Sequence, residues 1–389
     1  MSGSLDFVSG ELAGLESASL LRSVRAVDGP PDTEVIQNGR SLLLLASNNY
    51  LGLATHPRVV DAAAEAASRW GAGSGAARLV TGGTRLHDDL EAMLADFKQT
   101  EAALLFSSGY MANLGVLAAL AGREDMIFSD ELNHASIIDG VRLSRAAVRV
   151  YRHCDVEHLA ELLAENRGAR RRIVVTDTVF SMDGDLAPLA RMAEVCEAEG
   201  AILIADEAHA TGVVGPCGRG AVAHFGCEAG VHAIVGTLSK ALGAAGGFVA
   251  GSADLISFLR NRARPFVFDT ALPASPVAAA QAALEVLVAE PGLADRARAN
   301  ASTFAAGLRA RGFDVLDPAA AIVPVLVGEA SAAIAMAERL RAAGVLVPAI
   351  RPPSVPEGTA RLRATTMATH TDSQIEFALD AFARAAKDA

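Results

Sequence analysis

Two short segments of this 389-residue sequence carry side chains suited to covalent chemistry. The segment Asp206–His209 (DEAH) follows an apolar run, and Lys240 ends the segment Gly236–Lys240 (GTLSK) about thirty residues later. The residues after Lys240 are alanine, leucine and glycine, so its amine is expected to be desolvated. Desolvation lowers the pKa of a lysine and makes a neutral nucleophile available. The pattern therefore predicts Lys240 as an imine-forming lysine.

An acidic side chain at the end of a strand suits a partner with a pyridine ring. A carboxylate that faces the ring nitrogen keeps it protonated, so that the ring can accept the electrons of a carbanion. Asp206 fits this role, and a helix N-cap is the alternative interpretation. Thr237 and Ser239 offer hydroxyl groups for a phosphate on the loop that carries Lys240.

Three further segments place polar groups directly after apolar runs. Residues 107–110 open a helix whose first amides could hold a phosphate. His134 follows the next run, where its ring could stack on a cofactor, and residues 177–184 follow a third. Polar groups that gather at one edge of a sheet indicate a site more strongly than any one of them alone.

The elements that must position these groups alternate regularly between residues 100 and 250. Alternation of short apolar runs with helical stretches predicts an α/β fold with a mostly parallel, seven-stranded sheet between helices. Such sheets bind ligands beyond the carboxyl ends of their strands. The seven predicted strands are Ala103–Phe106, Met126–Ser129, Val148–Tyr151, Ile173–Thr176, Ile202–Ala205, Ala233–Val235 and Phe248–Ala250.

The two ends of the chain have a different pattern. An amphipathic helix is predicted over residues 5–25, a strand over 42–46 and a helix over 57–70. A long helix is predicted from 276 to 290, continuing past Pro291 to about 311. The remaining predictions are strands at 322–327, 345–348 and 360–365 and helices at 331–343 and 372–386. We therefore predict an N-terminal helix and arm (1–45), a large cofactor-binding domain (46–275) and a smaller C-terminal α+β domain (276–389).

Composition excludes several classes of protein. The net charge is -11 and no dense basic cluster occurs, which argues against nucleic-acid binding. No apolar stretch is long enough for a membrane span. The four cysteines form no CxxC pair, which favours a reducing cytoplasm and no zinc site. His153 and His158 are expected to be surface residues, and no metal is predicted.

Three rival interpretations fit the sequence poorly. The DEAH segment also occurs in nucleic-acid helicases, but these need a phosphate loop with a Gly-Lys pair, which this sequence lacks. Residues 71–76 match the GxGxxA dinucleotide pattern but follow a helical stretch instead of a strand. A binding or scaffold protein without enzyme activity would have no use for a desolvated lysine.

Six segments together resemble the α-oxoamine synthase family of fold-type I pyridoxal-phosphate enzymes over nearly the whole chain. They are Ser47–Leu53 (SNNYLGL), Ser107–Asn113 (SSGYMAN), His134–Gly140 (HASIIDG), Phe180–Leu186 (FSMDGDL), Asp206–Gly212 (DEAHATG) and Gly236–Gly247 (GTLSKALGAAGG).

The resemblance implies roles for individual residues. Lys240 would carry the cofactor as a Schiff base and act as general base, Asp206 would pair with the pyridine nitrogen, and His134 would stack on the ring and donate a proton. The residues implied to bind the cofactor are Gly109, Tyr110, His134, Ser181, Asp206, His209, Thr237, Ser239, Lys240 and, from a neighbouring subunit, Thr270. The residues implied to bind substrate are Arg22 (or Arg25 in another register), Asn49, Arg351, Ser354 and Arg363.

Within the family, three segments favour the branch that condenses L-alanine with a pimeloyl thioester, with loss of CO2, in biotin synthesis. They are Gly73–Gly83 (GSGAARLVTGG), Arg264–Leu272 (RPFVFDTAL) and Ala349–Arg363 (AIRPPSVPEGTARLR). The acyl carrier would be coenzyme A or acyl carrier protein. Glycine C-acetyltransferase and 5-aminolevulinate synthase are the alternatives. The resemblance also implies a cytoplasmic homodimer with active sites at the subunit interface.

Overall fold

The computed structural model of the chain describes residues 5–18, 20–22 and 24–387. Its helices are α1 Asp6–Ser17, α2 Pro57–Trp70, α3 Arg85–Lys98, α4 Gly109–Leu120, α5 Ala135–Ser144, α6 Val156–Glu165, α7 Leu189–Glu199, α8 Ala221–Phe225, α9 Ala253–Arg262, α10 Arg264–Val267, α11 Ala274–Ala289, α12 Gly292–Ala310, α13 Ala330–Ala342 and α14 Asp372–Lys387. Its strands are β1 Glu34–Gln37, β2 Arg40–Leu44, β3 Ala102–Phe106, β4 Met126–Asp130, β5 Ala147–Tyr151, β6 Arg172–Asp177, β7 Ile202–Asp206, β8 Ala233–Thr237, β9 Gly247–Gly251, β10 Ile322–Gly328, β11 Val345–Leu346, β12 Ala349–Ile350 and β13 Ala360–Thr365.

Seven strands form the main sheet in the order β3-β9-β8-β7-β6-β4-β5. Strand β9 runs antiparallel to both neighbours, and the other pairs are parallel. All seven predicted strands are confirmed, and their ends differ from the predicted ends by at most two residues. Apolar runs made the inner strands predictable, because a strand covered by helices is buried on both faces, whereas the edge strand β5 is exposed except at Tyr151.

The carboxyl ends of these strands bring acidic side chains together. Strands β4, β6 and β7 end at Asp130, Asp177 and Asp206, and the register of β6 and β7 places Asp177 opposite Asp206. Strand β3 runs parallel to β8, so α4, which follows β3, begins at the same edge as the loop that follows β8. This edge is where the sequence predicts the site.

A second sheet, β10-β13-β12, is antiparallel and lies in a separate hydrophobic cluster. Helices α12, α13 and α14 pack on it and contribute Phe304, Leu340 and Phe382 to its core. Helix α11, in contrast, packs in the core of the main sheet. The proposed division into three domains stays a prediction.

Several predictions for the ends of the chain were wrong in extent. Helix α1 ends at Ser17, because the N–H groups of Leu20 and Leu21 turn back onto the carbonyl of Leu15. The helix predicted across Pro291 is instead two helices, α11 and α12, bent by 82°. Proline cannot donate the helical hydrogen bond and disfavours a helical residue before it. The strand predicted at 345–348 spans two residues, and β1 and β12 were not predicted.

Among the described residues, no single helix is long and apolar enough to cross a membrane. The bent pair α11 and α12 passes that test only jointly, by length and composition.

Candidate active site

Lys240 lies in the loop after β8, and its amine faces a buried histidine. The Nζ atom is 2.8 Å from Nε2 of His209. Burial lowers the pKa of Lys240 to about 8, with Arg363 adding to the effect, although Asp206 and Asp177 oppose it. The amine is therefore partly neutral near neutral pH, as an imine-forming lysine requires.

The Asp206 carboxylate is buried in the same cleft and is held by two donors. The side-chain amide of Asn113 donates to Oδ2 at 2.6 Å, and the backbone N–H of Ala208 donates to Oδ1 at 2.8 Å. Asn113 also donates to Oγ of Ser136 at 2.9 Å. The sequence analysis did not single out Asn113, although it ends the quoted segment SSGYMAN; its place one helical turn after Gly109 was the available signal.

A second carboxylate, Asp177, lies on the neighbouring strand. Burial raises the pKa of Asp177 well above its ordinary value, and the charge of Asp206 raises it further. The N–H of His134 donates to Oδ2 of Asp177 at 2.8 Å. Asp177 therefore retains a proton more readily than an ordinary aspartate, which limits repulsion next to Asp206.

His134 caps α5 at the rim of the cleft. Its Nδ1 is 2.7 Å from Oγ of Ser136, and its ring meets that of Tyr110 edge to face, with the centroids 6.3 Å apart. Partial burial lowers the pKa of His134, Asp206 raises it and Lys240 lowers it. The Tyr110 hydroxyl donates to Asp139.

The first turn of α4 and the loop after β8 form an anion cradle. Ser108 caps the helix by accepting the N–H of Met111 at 3.1 Å, and the amides of Gly109 and Tyr110 lack intrahelical acceptors. The hydroxyls of Thr237 and Ser239 lie 2.8 Å apart beside them. Any Cβ at position 109 would lie 3.1 Å from Cβ of Thr237, so the approach depends on glycine. Amides at a helix start together with two hydroxyls suit a phosphate.

Arg363 on β13 is buried, and its guanidinium donates hydrogen bonds to Asn48, Tyr50 and Ser181. Its Nη1 and Nη2 each donate to Oδ1 of Asn48 at 3.2 Å, and Nη2 donates to Oη of Tyr50 at 3.3 Å. Its Nε donates to the backbone carbonyl of Ser181. Ser181, which was predicted to contact the cofactor, therefore lies next to Arg363. The guanidinium is thus fixed in one plane, as a carboxylate-binding arginine requires.

Asn49, the predicted substrate contact, uses its side chain on the backbone. Its Nδ2 donates to the carbonyl of Pro31 at 3.1 Å, and its Oδ1 accepts the N–H of Ala54 at 3.1 Å. Its neighbour Asn48 contacts Arg363, as does Tyr50 of the same SNNYLGL segment. The spacing of two adjacent asparagines could not distinguish them, and the role of Asn49 stays a prediction.

The other predicted substrate residues share a groove of about 630 Å³ beside the second sheet. It is lined in part by Arg22, Arg25, Arg351 and Ser354. Arg25 pairs with Glu338 at 2.6 Å, which leaves Arg22 as the arginine without that pairing. The groove reaches Pro348, whose carbonyl accepts the N–H of Arg363 at 3.1 Å, so it adjoins Arg363.

Thr270, the residue predicted to reach a neighbouring subunit, lies between α10 and α11. It is exposed and pairs through its backbone with Ala77, and its N–H donates to Asp269 at 2.9 Å. Phe268, two residues before it, is 69% exposed, and Val80, three residues after its bridge partner Ala77, is 74% exposed. The contact of Thr270 across a subunit boundary stays a prediction.

The expectation that His153 is a surface residue was wrong. Its Nδ1 is 3.0 Å from Asp130 and its Nε2 is 2.9 Å from Asp185, and its ring packs edge-on against Phe180. Ligand atoms of Asp130, His153 and Cys154 lie within 4.8 Å of one another. The two carboxylates stabilise His153 as a cation, which links the loops that carry Asp130 and Asp185. Such a tertiary contact cannot be read from the spacing of residues in the sequence.

The groups at this edge fit pyridoxal phosphate. One cleft contains the Lys240 amine with its lowered pKa, the buried Asp206 carboxylate and the glycine-lined anion cradle. The carboxylate has a spare acceptor position for a ring N–H. The side-chain oxygen of Asn113 is buried there without a partner among the described residues. Lysine, carboxylate and phosphate cradle are the groups with which proteins hold this cofactor.

Comparison with known proteins places the chain in a family. The family model for class I and II aminotransferases matches residues 40–382, and the chain belongs to this family. The solved serine palmitoyltransferase of Sphingomonas wittichii is 35% identical, with a TM-score of 0.95 over 100% of this chain and 99% of that chain. That of S. paucimobilis, solved with bound PLP, is 34% identical, with a TM-score of 0.93 over 99% of this chain and 98% of that chain. Fold and site therefore define a fold-type I, pyridoxal-phosphate-dependent transferase.

Within this family, the sequence similarity is more specific. The chain is 54% identical to 8-amino-7-oxononanoate synthase of Anaeromyxobacter dehalogenans strain 2CP-1 over 99% of this chain and 97% of that protein. The chain belongs with the 8-amino-7-oxononanoate synthases, which are acyltransferases. The predicted fold class, cofactor and enzyme class are confirmed.

Proposed function

We propose that the chain condenses L-alanine with a pimeloyl thioester to give 8-amino-7-oxononanoate, CO2 and free thiol, in biotin biosynthesis. The observation that carries this proposal is the position of the Lys240 amine, in one cleft with Asp206 and with the guanidinium of Arg363. The 54% identity to a protein of that name supports the choice of substrates. Serine palmitoyltransferase, at 35% identity, is less similar in sequence.

The cofactor would be held from three sides of the cleft. When bound, pyridoxal phosphate supplies an electron-withdrawing ring that stabilises negative charge on the α-carbon of an amino acid. Lys240 would attach it covalently, Asp206 would face the ring nitrogen, and His134 would lie over the ring. The groups that would bind its hydroxyl, phosphate and remaining edges are those of Gly109, Tyr110, Ser181, His209, Thr237, Ser239 and Asn113.

Lys240 is suited to move a proton at the α-carbon of the amino acid. Because burial lowers its pKa to about 8, the amine can accept a proton near neutral pH and return it later. Its contact with Nε2 of His209 keeps it on one side of the cleft. His134, at the rim, is placed to donate a proton after loss of CO2.

Arg363 would bind the carboxylate of L-alanine. Its guanidinium is always charged and presents donors in a planar fork, and the Asn48 and Tyr50 contacts orient that plane. The thioester would enter through the groove of about 630 Å³, where Arg22, Arg351 and Ser354 lie. The acyl carrier would be coenzyme A or acyl carrier protein.

A homodimer would complete the site. Thr270 would reach the phosphate cradle of the partner subunit, and the exposed side chains of Leu79, Val80 and Phe268 would be covered there. Burial of such apolar side chains is the usual driving force of subunit association.

A substrate panel tests the proposal. Purified protein with pyridoxal phosphate is assayed for thiol release with alanine, glycine or serine, each with pimeloyl, acetyl, succinyl or palmitoyl thioesters of coenzyme A and with pimeloyl acyl carrier protein. We expect turnover with alanine and a pimeloyl thioester to exceed every other pair. Preference for glycine with acetyl or succinyl coenzyme A, or for serine with palmitoyl coenzyme A, would instead assign a sister activity.

The attachment of the cofactor has its own control. The chain contains three lysines, Lys98, Lys240 and Lys387. After borohydride reduction and digestion, mass spectrometry should find the cofactor mass on Lys240 and lose it in Lys240→Ala. Lys387→Ala, which changes an exposed lysine, should leave the modification unchanged.

A further inference from the structure

A chain of hydrogen-bonded side chains joins Arg363 to Lys240. Nη2 of Arg363 is 3.3 Å from Oη of Tyr50, Oη of Tyr50 is 2.7 Å from Nδ1 of His209, and Nε2 of His209 is 2.8 Å from Nζ of Lys240. Tyr50 is 0% exposed and His209 is 5% exposed. Bulk water therefore does not replace these partners, and Tyr50, in the middle of the chain, contacts both Arg363 and His209.

Tyr50 has one proton and two acceptors for it. They are Nδ1 of His209 at 2.7 Å and Oδ1 of Asn48 at 3.0 Å. The Asn48 oxygen already accepts two N–H groups of Arg363. Because a carbonyl oxygen has two lone pairs, a third donor is accommodated poorly there. The shorter contact and the unoccupied acceptor both direct the tyrosine proton to His209.

The direction of that proton decides what His209 offers to Lys240. Burial lowers the pKa of His209 well below its ordinary value, with Lys240, Arg363 and His134 adding to the effect, so the ring is neutral. A neutral imidazole that accepts at Nδ1 carries its hydrogen on Nε2. That hydrogen points at Nζ of Lys240 and needs the lone pair of a neutral amine. A protonated lysine has only donors and would need the opposite tautomer.

We propose that Tyr50 is a positioning residue that selects the Nε2–H tautomer of His209 and thereby favours the neutral amine of Lys240. The other charged groups that act on this amine are Asp206 and Asp177, which favour its protonated form, and Arg363, which disfavours it. This inference rests on the proposed role of Lys240 as the reactive amine, but it does not depend on which substrates the enzyme uses.

The small number of lysines makes the test direct. Full-length protein freed of cofactor and labelled with 13C at lysine Cε gives three signals, and Lys240→Ala identifies the one from the site. The chemical shift is followed against pH in the unsubstituted protein and in Tyr50→Phe, which keeps the ring and removes the hydroxyl. We expect the titration midpoint of Lys240 to rise by about 0.4 to 1 pH unit, the equivalent of one neutral hydrogen bond.

Matched controls separate this effect from a general change of structure. Tyr151 is also buried, at 1% exposure, but lies outside the chain of contacts, so Tyr151→Phe should not move the Lys240 midpoint. The Lys98 and Lys387 signals should be unchanged in every variant. In the enzyme with cofactor, the acidic limb of the kcat profile of Tyr50→Phe should move to higher pH by the same amount.

Two results would overturn the proposal. One is a folded Tyr50→Phe protein in which the Lys240 midpoint is unchanged or lower. The other comes from Asn48→Ala, which leaves the tyrosine proton no acceptor except His209 and should lower the midpoint or leave it constant; a rise contradicts the proposal even if Tyr50→Phe fails to fold. If the Lys240 midpoint shifts as expected but the substrate panel shows no preference for alanine with a pimeloyl thioester, the proposed substrates are refuted and this inference stands.

Discussion

Replacement of Glu207 by glutamine should destabilise the protein in a manner that depends on pH. Glu207 pairs with Lys98, with Oε2 2.5 Å from Nζ, and the two side chains are 0% and 1% exposed. Lys98 also donates to Oγ1 of Thr211 at 2.8 Å, and Oε1 of Glu207 accepts the N–H of Val222 at 2.7 Å. Glutamine can keep the Val222 contact, so the substitution removes mainly the negative charge.

The size of the effect follows from the lysine that remains. Burial already lowers the pKa of Lys98, while the charge of Glu207 opposes this effect. Loss of the Glu207 charge therefore leaves a buried amine without a counter-charge. The folded protein can relieve this by releasing the proton. Release at pH 7 from an ordinary lysine of pKa about 10.4 costs about 4.6 kcal/mol, an upper limit that agrees with roughly 3–5 kcal/mol for broken buried pairs. With an entropy of unfolding of about 2.1 cal/mol/K per residue, this loss of stability lowers the melting temperature by roughly 4–6 °C.

The loss of stability in Glu207→Gln should decrease as the pH rises. The unfolded lysine keeps its ordinary pKa while the folded one is depressed, so the penalty is largest at low pH and declines as pH rises towards the unfolded pKa. It should fall by about 1.4 kcal/mol per pH unit, leaving roughly 2 kcal/mol at pH 9. Calorimetric melting of Glu207→Gln at pH 7 and pH 9 measures both values.

Two further variants test the reasoning. Lys98→Met combined with Glu207→Gln removes both charges of this pair and should recover at least half of the lost stability. Glu157→Gln breaks an exposed pair with Arg191 and should leave the melting temperature unchanged. An equal shift of Glu207→Gln at both pH values, or a double variant no more stable than the single one, would refute the account.

Three other predictions concern the site. Arg363→Lys loses the planar fork and should raise KM for alanine by about 10- to 100-fold with a smaller change in KM for the thioester, measured by steady-state kinetics. Asn113→Ala removes the amide donor from Asp206 and should weaken cofactor binding about 10-fold, measured by fluorescence titration, whereas unchanged affinity would exclude that support. Burial lowers the pKa of His153, but hydrogen bonds to two carboxylates outweigh it and raise the pKa to about 12. His153→Gln should therefore cost about 2 kcal/mol below pH 6.5 and progressively less above it, measured by denaturant unfolding.

Much of the fold was predictable because its signals are local. The inner strands of the main sheet contain apolar runs, and strands β6 and β7 begin and end within two residues of the prediction. A strand that is buried on both faces must be apolar throughout, whatever its neighbours in space are. The bend between α11 and α12 lies at Pro291, a local signal for the end of a helix.

The short strands were not predictable in the same way. Strands β11 and β12 have two residues each and exist only because β2 and β13 offer hydrogen bonds to them. Two residues carry no periodicity, so tertiary pairing decided these elements.

By itself, the sequence determined the chemistry of this protein. An apolar strand followed by Asp206, and a glycine-rich loop that holds Lys240, predict a carboxylate and a reactive amine, because desolvation favours the neutral form of a lysine. Only the tertiary structure decided which neighbours act on them. Asn113 on Asp206, Asn48 instead of Asn49 on Arg363, and the contacts that link Tyr50 to Lys240 all join residues distant in the chain. Hydrogen bonds require positions accurate to a few tenths of an ångström, and only the packed fold supplies that accuracy.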